Sequence, residues 1–142
     1  MKINGMKVNI NDYTVKSITK TDDGLIVEYI KNKPQYPKTF EDCCNVLQTY
    51  CSMHSRAGYK EEQIAWFQGL LICRDAYWKI AGEEMKPDFS ENFIYAIGTY
   101  YGTIEKRMVV GGGGILLFPT EEMRDAFFEN FKDLIEKCKE FL

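Results

Sequence analysis

The sequence predicts an α+β domain in which two groups of antiparallel β-strands pack with three helices. Residues 6–30 and 93–118 are rich in β-branched and aromatic side chains and are broken by Asp or Gly turns, which is typical of antiparallel strands. Residues 60–81 and 120–141 carry apolar side chains at helical spacing. The chain has 142 residues, of which 45% are hydrophobic, so it is long enough to form a core without disulfides or metals. We therefore predict a single domain over residues 1–142.

The first group of strands is indicated by alternation and by a turn. Polar and apolar residues alternate over Lys7 to Asn11, and less regularly over Tyr13 to Ile18. Asp23-Gly24 separates these residues from a β-rich run, Leu25 to Ile30. An Asp-Gly pair between two such runs predicts a β-hairpin, because glycine adopts positive φ without strain. The sequence therefore predicts a hairpin or meander over about residues 6–30.

A connector with two prolines precedes the first predicted helix. Proline lacks an amide donor and disfavours helix in the residue before it, so residues 31–38 are predicted to be irregular. Thr39 is a good N-cap, and the acidic residues Glu41 and Asp42 follow in the first turn, where they interact favourably with the helix dipole. The first helix is predicted over about residues 39–52.

The other two helices are predicted from their apolar periodicity. Residues 60–81 are apolar around nearly the whole helix circumference, so we expect this helix to be central in the fold or covered by a partner. The last helix, over about residues 120–141, begins with Thr120 as its N-cap. One apolar stripe runs along it: Met123, Phe127, Phe131, Leu134, Cys138 and Phe141.

The second group of strands covers about residues 93–118. A strand that starts at Phe93 turns at Gly102 into a second strand. Four glycines, residues 111–114, separate that strand from a third over residues 115–118. We interpret the glycines as a flexible hairpin loop, because a phosphate-binding loop would lead into a helix rather than a strand. The three strands are predicted to form a meander.

Aromatic and basic side chains of this meander are the candidate binding residues. Tyr95 and Tyr101 occur near Lys106 and Arg107, and exposed rings flanked by cations can stack on single-stranded bases. Alternation places Phe93, Tyr95, Ile97 and Tyr101 on one face, which is also what packing against a helix requires. The net charge of −3 disfavours nucleic acid, because a phosphate-binding surface is usually basic. Core packing is the favoured interpretation, and a single-stranded nucleic-acid-binding module is the alternative.

A second alternative is a metal-binding or cysteine-dependent site around Cys51 and His54. These residues lie about one helical turn apart, as two zinc ligands could. However, the chain has one histidine and lacks a Cys-x-x-Cys pair, so its five cysteines are interpreted as reduced thiols and small buried hydrophobes. We predict no catalytic residue, no metal ligand and no cofactor.

Three motifs of the C-terminal half occur in a fixed order: CRDAYWKIAG at residues 73–82, KPDFS at 86–90 and FPTEEMRDAFFENFKDLIEKCKEFL at 118–142. In this order they resemble a set of small uncharacterised proteins encoded by gut anaerobes and their phages or prophages. The resemblance implies a phage-related origin and no established activity. Met85 and Phe89 stand where that set has tryptophan, so binding through indole rings is not carried over.

These observations predict a non-enzymatic interaction or assembly protein of phage or prophage origin. Its partner is expected to be another protein or a second copy of the chain, because excess apolar surface on a small domain is often buried by association. The N-terminal residues show no signal peptide and no apolar stretch is long enough to cross a bilayer, so we expect a cytoplasmic protein without a membrane partner.

Overall fold

The computed structural model confirms the α+β class, with helices and small antiparallel sheets in one chain. The chain divides into two compact units, Met1–Gln35 and Tyr36–Leu142. That residues 1–142 act as a single domain stays a prediction. The structure describes residues 2–3, 6–7, 12–49, 59–82, 93–111 and 113–142.

Apart from β1, which lies before the predicted residues 6–30, the described elements follow the predicted order. They are β1 (Lys2–Ile3), β2 (Met6–Lys7), β3 (Tyr13–Thr21), β4 (Gly24–Lys31), α1 (Phe40–Leu47), α2 (Tyr59–Ile80), β5 (Phe93–Tyr100), β6 (Thr103–Val110), β7 (Leu116–Phe118) and α3 (Glu121–Lys137), followed by a 3₁₀ turn, Lys139–Phe141. The described strands form three separate sheets, which are β1-β2, β3-β4 and β6-β5-β7.

The hairpin of β3 and β4 is confirmed, but its turn differs from the predicted Asp-Gly turn. Thr21 pairs with Gly24, so Asp22 and Asp23 form the two-residue turn and Gly24 opens β4. Gly24 has a φ of 139°, so the glycine supplies its positive φ just after the turn rather than within it. Residues 8–11 of the first predicted strand lie outside the described residues.

Helix α1 begins as predicted and ends earlier. The Thr39 hydroxyl accepts a hydrogen bond from the Asp42 amide at 3.1 Å, and the Thr39 amide donates to Asp42 Oδ2 at 3.2 Å. This reciprocal capping box fixes the start of the helix. Gln48 then adopts a left-handed φ of 54° and terminates it. The helix therefore ends at Leu47 rather than near Ser52.

Helix α2 is central to the second unit, as its apolar circumference predicts. Tyr77 belongs to the main core, whereas the adjacent Trp78 belongs to a second cluster with Ile94, Ala96 and Leu117. Because Ala96 and Leu117 alternate with residues of the main core along their strands, the two clusters lie on opposite faces of the sheet. The consecutive residues Tyr77 and Trp78 of α2 thus contact opposite faces of the sheet. This helix therefore lies along the edge of the sheet that β7 forms.

The strand order of the C-terminal sheet is not that of the predicted meander. β5 lies in the middle and pairs antiparallel with both β6 and β7, so β6 and β7 run parallel to each other. Residues 111–115 must therefore pass from one side of β5 to the other instead of closing a hairpin. Such a connection usually needs a dozen or more residues. Gly111 and Gly114 of this connection adopt positive φ (80° and 130°), which glycine does without strain.

Helix α3 covers one face of the sheet and completes the main core. Four of the six residues of its predicted apolar stripe are buried, with Phe127 and Cys138 fully inside, whereas Leu134 and Phe141 are half-buried. The helix ends at Lys137 and the chain continues as the 3₁₀ turn, so the predicted bound at residue 141 includes this turn. Aromatic rings pack against each other in the main core, where Tyr77 meets Phe127 edge-on at a centroid distance of 5.0 Å.

Candidate functional site

Two of the four predicted binding residues lie on the sheet face that α3 covers. Tyr95 is half-buried, and the guanidinium carbon of Arg124 lies 5.4 Å from its ring centroid. Lys106 Nζ lies 3.2 Å from Asp125 Oδ1 and 5.4 Å from the ring centroid of Phe128. Both side chains therefore contact the helix, although Lys106 remains partly exposed.

Arg107 lies on the opposite face of the sheet. Its guanidinium carbon stacks 3.6 Å from the ring centroid of Tyr100, and its Nε and Nη2 donate to Glu105 Oε2 at 3.0 and 2.9 Å. The Tyr100 ring in turn covers Gly98, where an added Cβ would lie 3.4 Å from the ring. A tyrosine over a strand glycine shields the backbone where a side chain is missing.

Tyr101 occupies the tip of the β5–β6 hairpin and is fully exposed. Tyr100 pairs with Thr103, so Tyr101 and Gly102 form a two-residue turn, with φ values of 49° and 78°. Two positive φ angles define a type I′ turn, whose first position favours Asn, Asp or Gly. A bulky side chain in this region is strained, and such strain often marks functional positions.

The structure does not bring the four predicted residues together on one surface. Tyr95 and Lys106 face α3, Arg107 faces the other way, and Tyr101 lies at the tip. The sequence alone could have shown that Lys106 and Arg107 lie on different faces, because consecutive strand residues point to opposite faces. Both cations are also matched by a carboxylate.

Arg124 is the buried charge at the start of α3, only 6% exposed. Its Nε donates to Asp125 Oδ1 at 2.9 Å, its Nη2 to Glu121 Oε1 at 2.9 Å and its Nη1 to the Arg107 carbonyl at 3.4 Å. Burial alone would raise the pKa of Asp125, but hydrogen bonds from Arg124 and Lys106 outweigh it and hold that pKa below its usual value. This network anchors the helix to the sheet.

The RD motif of residues 73–82 has a similar structural role. Arg74 Nη1 donates to the Ile115 carbonyl at 3.0 Å, and its Nε and Nη2 are held by Asp75 Oδ1. Its guanidinium carbon lies 4.1 Å from the Trp78 ring centroid, and Trp78 Nε1 donates to the Leu117 carbonyl at 2.8 Å. These contacts satisfy carbonyls at the β7 edge, so the motif is explained by packing.

Cys51 and His54 lie outside the described residues, so the metal-binding alternative stays a prediction. The four described cysteines are all buried, as predicted, and three of them belong to the main core. Burial raises the pKa of the Cys138 thiol to about 11, which keeps it protonated and unreactive at neutral pH. Within the described ranges, no three Cys, His, Asp or Glu side chains cluster as metal ligands would.

An open groove of about 490 Å³ lies between the start of α1 and the outer side of α3. Its charges are mixed, and Lys137 Nζ lies 4.9 Å from the ring centroid of Trp66. The Thr39 hydroxyl at its rim is occupied by the helix cap. The lining residues are Lys38, Thr39, Phe40, Trp66, Glu129, Asn130, Phe131, Lys132, Asp133, Leu134 and Lys137. None of these is a Cys, Ser or His, so the described lining holds no Ser-His or Cys-His pair.

The N-terminal hairpin carries a feature that the sequence reasoning missed. Val15 pairs with Tyr29 and Ser17 pairs with Glu28, so Lys16 is an extra residue that forms a β-bulge. The bulge restores Ile18 to the same face as Val15, although the two residues are three apart. In the sequence, the irregular alternation of polar and apolar residues between Val15 and Ile18 could have indicated this bulge.

The bulge collects the apolar side chains of the hairpin on one face. This apolar hairpin face consists of Tyr13, Val15, Ile18, Leu25, Val27 and Tyr29, with Lys20 and Lys31 at its ends. The opposite face carries Thr14, Ser17, Thr19, Thr21, Glu28, Ile26 and Ile30. The apolar face is open to solvent, since Ile18 is 64% and Leu25 is 67% exposed. An apolar surface of this kind is typical of an interaction site.

Comparison with known proteins gives no relative, because no family model, curated protein or solved structure matches the chain. In the part of the chain that the structure describes, no helix is long and apolar enough to cross a membrane.

Proposed function

We propose that the protein is a non-enzymatic interaction protein that self-associates through the apolar hairpin face. The observation that carries this proposal is the exposure of that face on a two-stranded sheet, with Val15 48%, Ile18 64% and Leu25 67% exposed. A two-stranded hairpin is marginally stable alone in water. Burying one large aliphatic side chain contributes about 1.5–3 kcal/mol, so covering this face stabilises the hairpin and the complex together.

A second copy of the hairpin fits this face by charge. When the two-fold axis runs across the strands, the turn of one hairpin lies over the open end of the other. The charged residues near the turn are Asp22, Asp23 and Lys20. Those near the open end are Lys31, Lys33 and Asp12. Each end therefore has one net charge, of opposite sign, and the two-fold arrangement places these charges opposite each other.

The absence of a catalytic arrangement among the described residues supports the non-enzymatic part of the proposal. The described groove is lined by no Cys, Ser or His, and Lys106 and Arg107 of the C-terminal sheet are each matched by a carboxylate. Descent from a phage or prophage protein rests on the resemblance of the C-terminal motifs alone.

The test compares two isoleucines of the same hairpin. Ile18 and Ile26 are 64% and 55% exposed and lie on opposite faces. Ile18→Lys places a charge in the apolar hairpin face and is expected to lower the mass measured by size-exclusion chromatography with light scattering. Ile26→Lys adds the same charge to the other face and is expected to leave the mass unchanged. A wild-type protein with the mass of one chain, or equal effects of both variants, contradicts the proposal.

A further inference from the structure

The outer edge of β6 is unpaired in the described part of the chain, since β6 bonds only to β5. Its hydrogen-bonding direction follows from the hairpin turn. In a two-residue type I′ hairpin the flanking pair, Tyr100 and Thr103, is hydrogen-bonded, and the bonded pairs alternate from there. The amides and carbonyls of Ile104, Lys106 and Met108 therefore point away from β5. A row of such groups is a template for another strand.

The residues along this edge are self-complementary about Lys106. Glu105 and Arg107 stand one residue to either side of it, and Ile104 and Met108 stand two residues away. We propose that a second copy of the chain pairs antiparallel with β6, with Lys106 on the two-fold axis. Two three-stranded sheets then form one six-stranded sheet. In a two-fold interface every contact occurs twice, so each complementary pair counts double.

On the face away from α3, this register places Glu105 opposite Arg107 of the second copy. Both side chains are ordered by their own contact, in which Arg107 Nε and Nη2 donate to Glu105 Oε2. Arg107 Nη1 and Glu105 Oε1 remain available to the second copy, because no described residue bonds them. Opposite charges directly across strands stabilise pairing, and the stacking of Arg107 on Tyr100 pre-orders the guanidinium.

On the face toward α3, the same register places Ile104 opposite Met108 of the second copy. Met108 is 57% exposed in the single chain, so pairing removes apolar surface from water. The two Lys106 side chains meet at the axis, where like charges would repel each other. Each forms an ion pair with Asp125 of its own α3, at 3.2 Å, which weakens this repulsion.

The neighbouring registers are disfavoured by charge. Moving the axis by one residue to Glu105 places two glutamates opposite each other, and moving it to Arg107 places two arginines opposite each other. Neither of these residues has a second described carboxylate or cation to neutralise it. The register centred on Lys106 alone gives two Glu–Arg pairs.

The experiment uses the Ile18→Lys background, so that the apolar hairpin face contributes nothing and each proposal can fail separately. Ile18→Lys protein is expected to have the mass of two chains by light scattering. Adding Glu105→Arg, or instead Arg107→Glu, places like charges opposite each other twice and is expected to weaken the dimer roughly tenfold or more. Glu129→Arg changes an exposed charge on α3 and is the control that leaves the dimer intact.

Mixing the two weakened variants separates an interface effect from a folding defect. When a Glu105→Arg chain pairs with an Arg107→Glu chain, opposite charges meet in both of the 105–107 pairs. The equimolar mixture is therefore expected to regain the mass of two chains. Native mass spectrometry identifies the heterodimer. An Ile18→Lys protein with the mass of one chain, or a mixture that stays monomeric, overturns the inference. If wild type and Ile18→Lys are both dimers, the hairpin proposal fails and the edge pairing stands.

Discussion

Tyr77 joins three segments of the chain through one hydroxyl group. The hydroxyl donates to the Pro37 carbonyl at 2.7 Å and accepts from Asn130 Nδ2 at 3.0 Å, and the ring stacks on Tyr36 at a centroid distance of 5.1 Å. Burial raises the pKa of Tyr77 far above its usual value, and the hydrogen bond from Asn130 opposes part of that rise. The fold therefore depends on the neutral phenol.

We expect Tyr77→Phe to change both stability and its dependence on pH. A folded-state pKa raised above the unfolded value of about 10 gives a contribution that is complete below about pH 10 and is lost as the pH rises further. Tyr77→Phe is expected to lower the free energy of unfolding at pH 7 by about 1–2 kcal/mol, because the Pro37 carbonyl loses its shorter hydrogen bond. It is also expected to flatten the decline above pH 10.

Urea denaturation between pH 7 and 11 measures both effects. Tyr29→Phe, on a tyrosine that is 38% exposed in the hairpin, is the control and is expected to change neither. The same alkaline slope in Tyr77→Phe and wild type would show that another group causes the decline.

Single residues differ in how far the sequence predicts their roles. The Thr39 cap was predictable, because its partner Asp42 is three residues away. The partners of Tyr77 are 40 and 53 residues away, so no local pattern indicates them. The surroundings of the predicted site residues were equally hard to predict, because Asp125, the ion-pair partner of Lys106, belongs to a different element, helix α3.

The β-bulge decides which face each residue of β3 occupies. If Lys16 is the extra residue, deleting it leaves a regular strand in which Val15 and Ile18 still share the apolar hairpin face. We therefore expect the Lys16 deletion to keep the self-association of the wild type. Its exposed ion pair with Glu28, at 3.7 Å, contributes little.

Deleting Thr19 provides the matched control for this prediction. Thr19 lies in the regular part of the strand, so its removal shifts Ile18 to the opposite face of the hairpin. We expect the mass measured by light scattering to fall for this deletion only. A fall for both deletions would place the extra residue elsewhere or make association independent of this face.

Element existence was easier to predict than element pairing. Alternation and glycines located β5, β6 and β7, and caps located the starts of α1 and α3. Alternation fixes which face a side chain occupies but not which strand lies beside it. The position of β7 next to β5 depends on long-range contacts with α2, such as the bond from Trp78 to Leu117.

At the scale of the whole molecule, both core clusters belong to the second unit. Every residue of the main core and of the second cluster lies within residues 36–142. We therefore expect a chain of residues 36–142 to unfold cooperatively, whereas residues 1–35 alone are expected to be unstructured, because a two-stranded hairpin is marginal. Circular dichroism during heating measures both. A non-cooperative transition for residues 36–142 would show that the core needs the hairpin.

The glycine crossover has a consequence for the order of folding. Strands β5 and β6 are consecutive in the sequence and can form a hairpin within microseconds. Strand β7 can pair with β5 only after the chain that follows β6 has crossed to the other side of β5. During this interval one edge of β5 is vacant, and β7 of a neighbouring nascent chain matches it as well as the chain's own β7. Exchange of β7 with α3 between two chains, a domain swap, is therefore the misfolding route that this topology favours at high protein concentration.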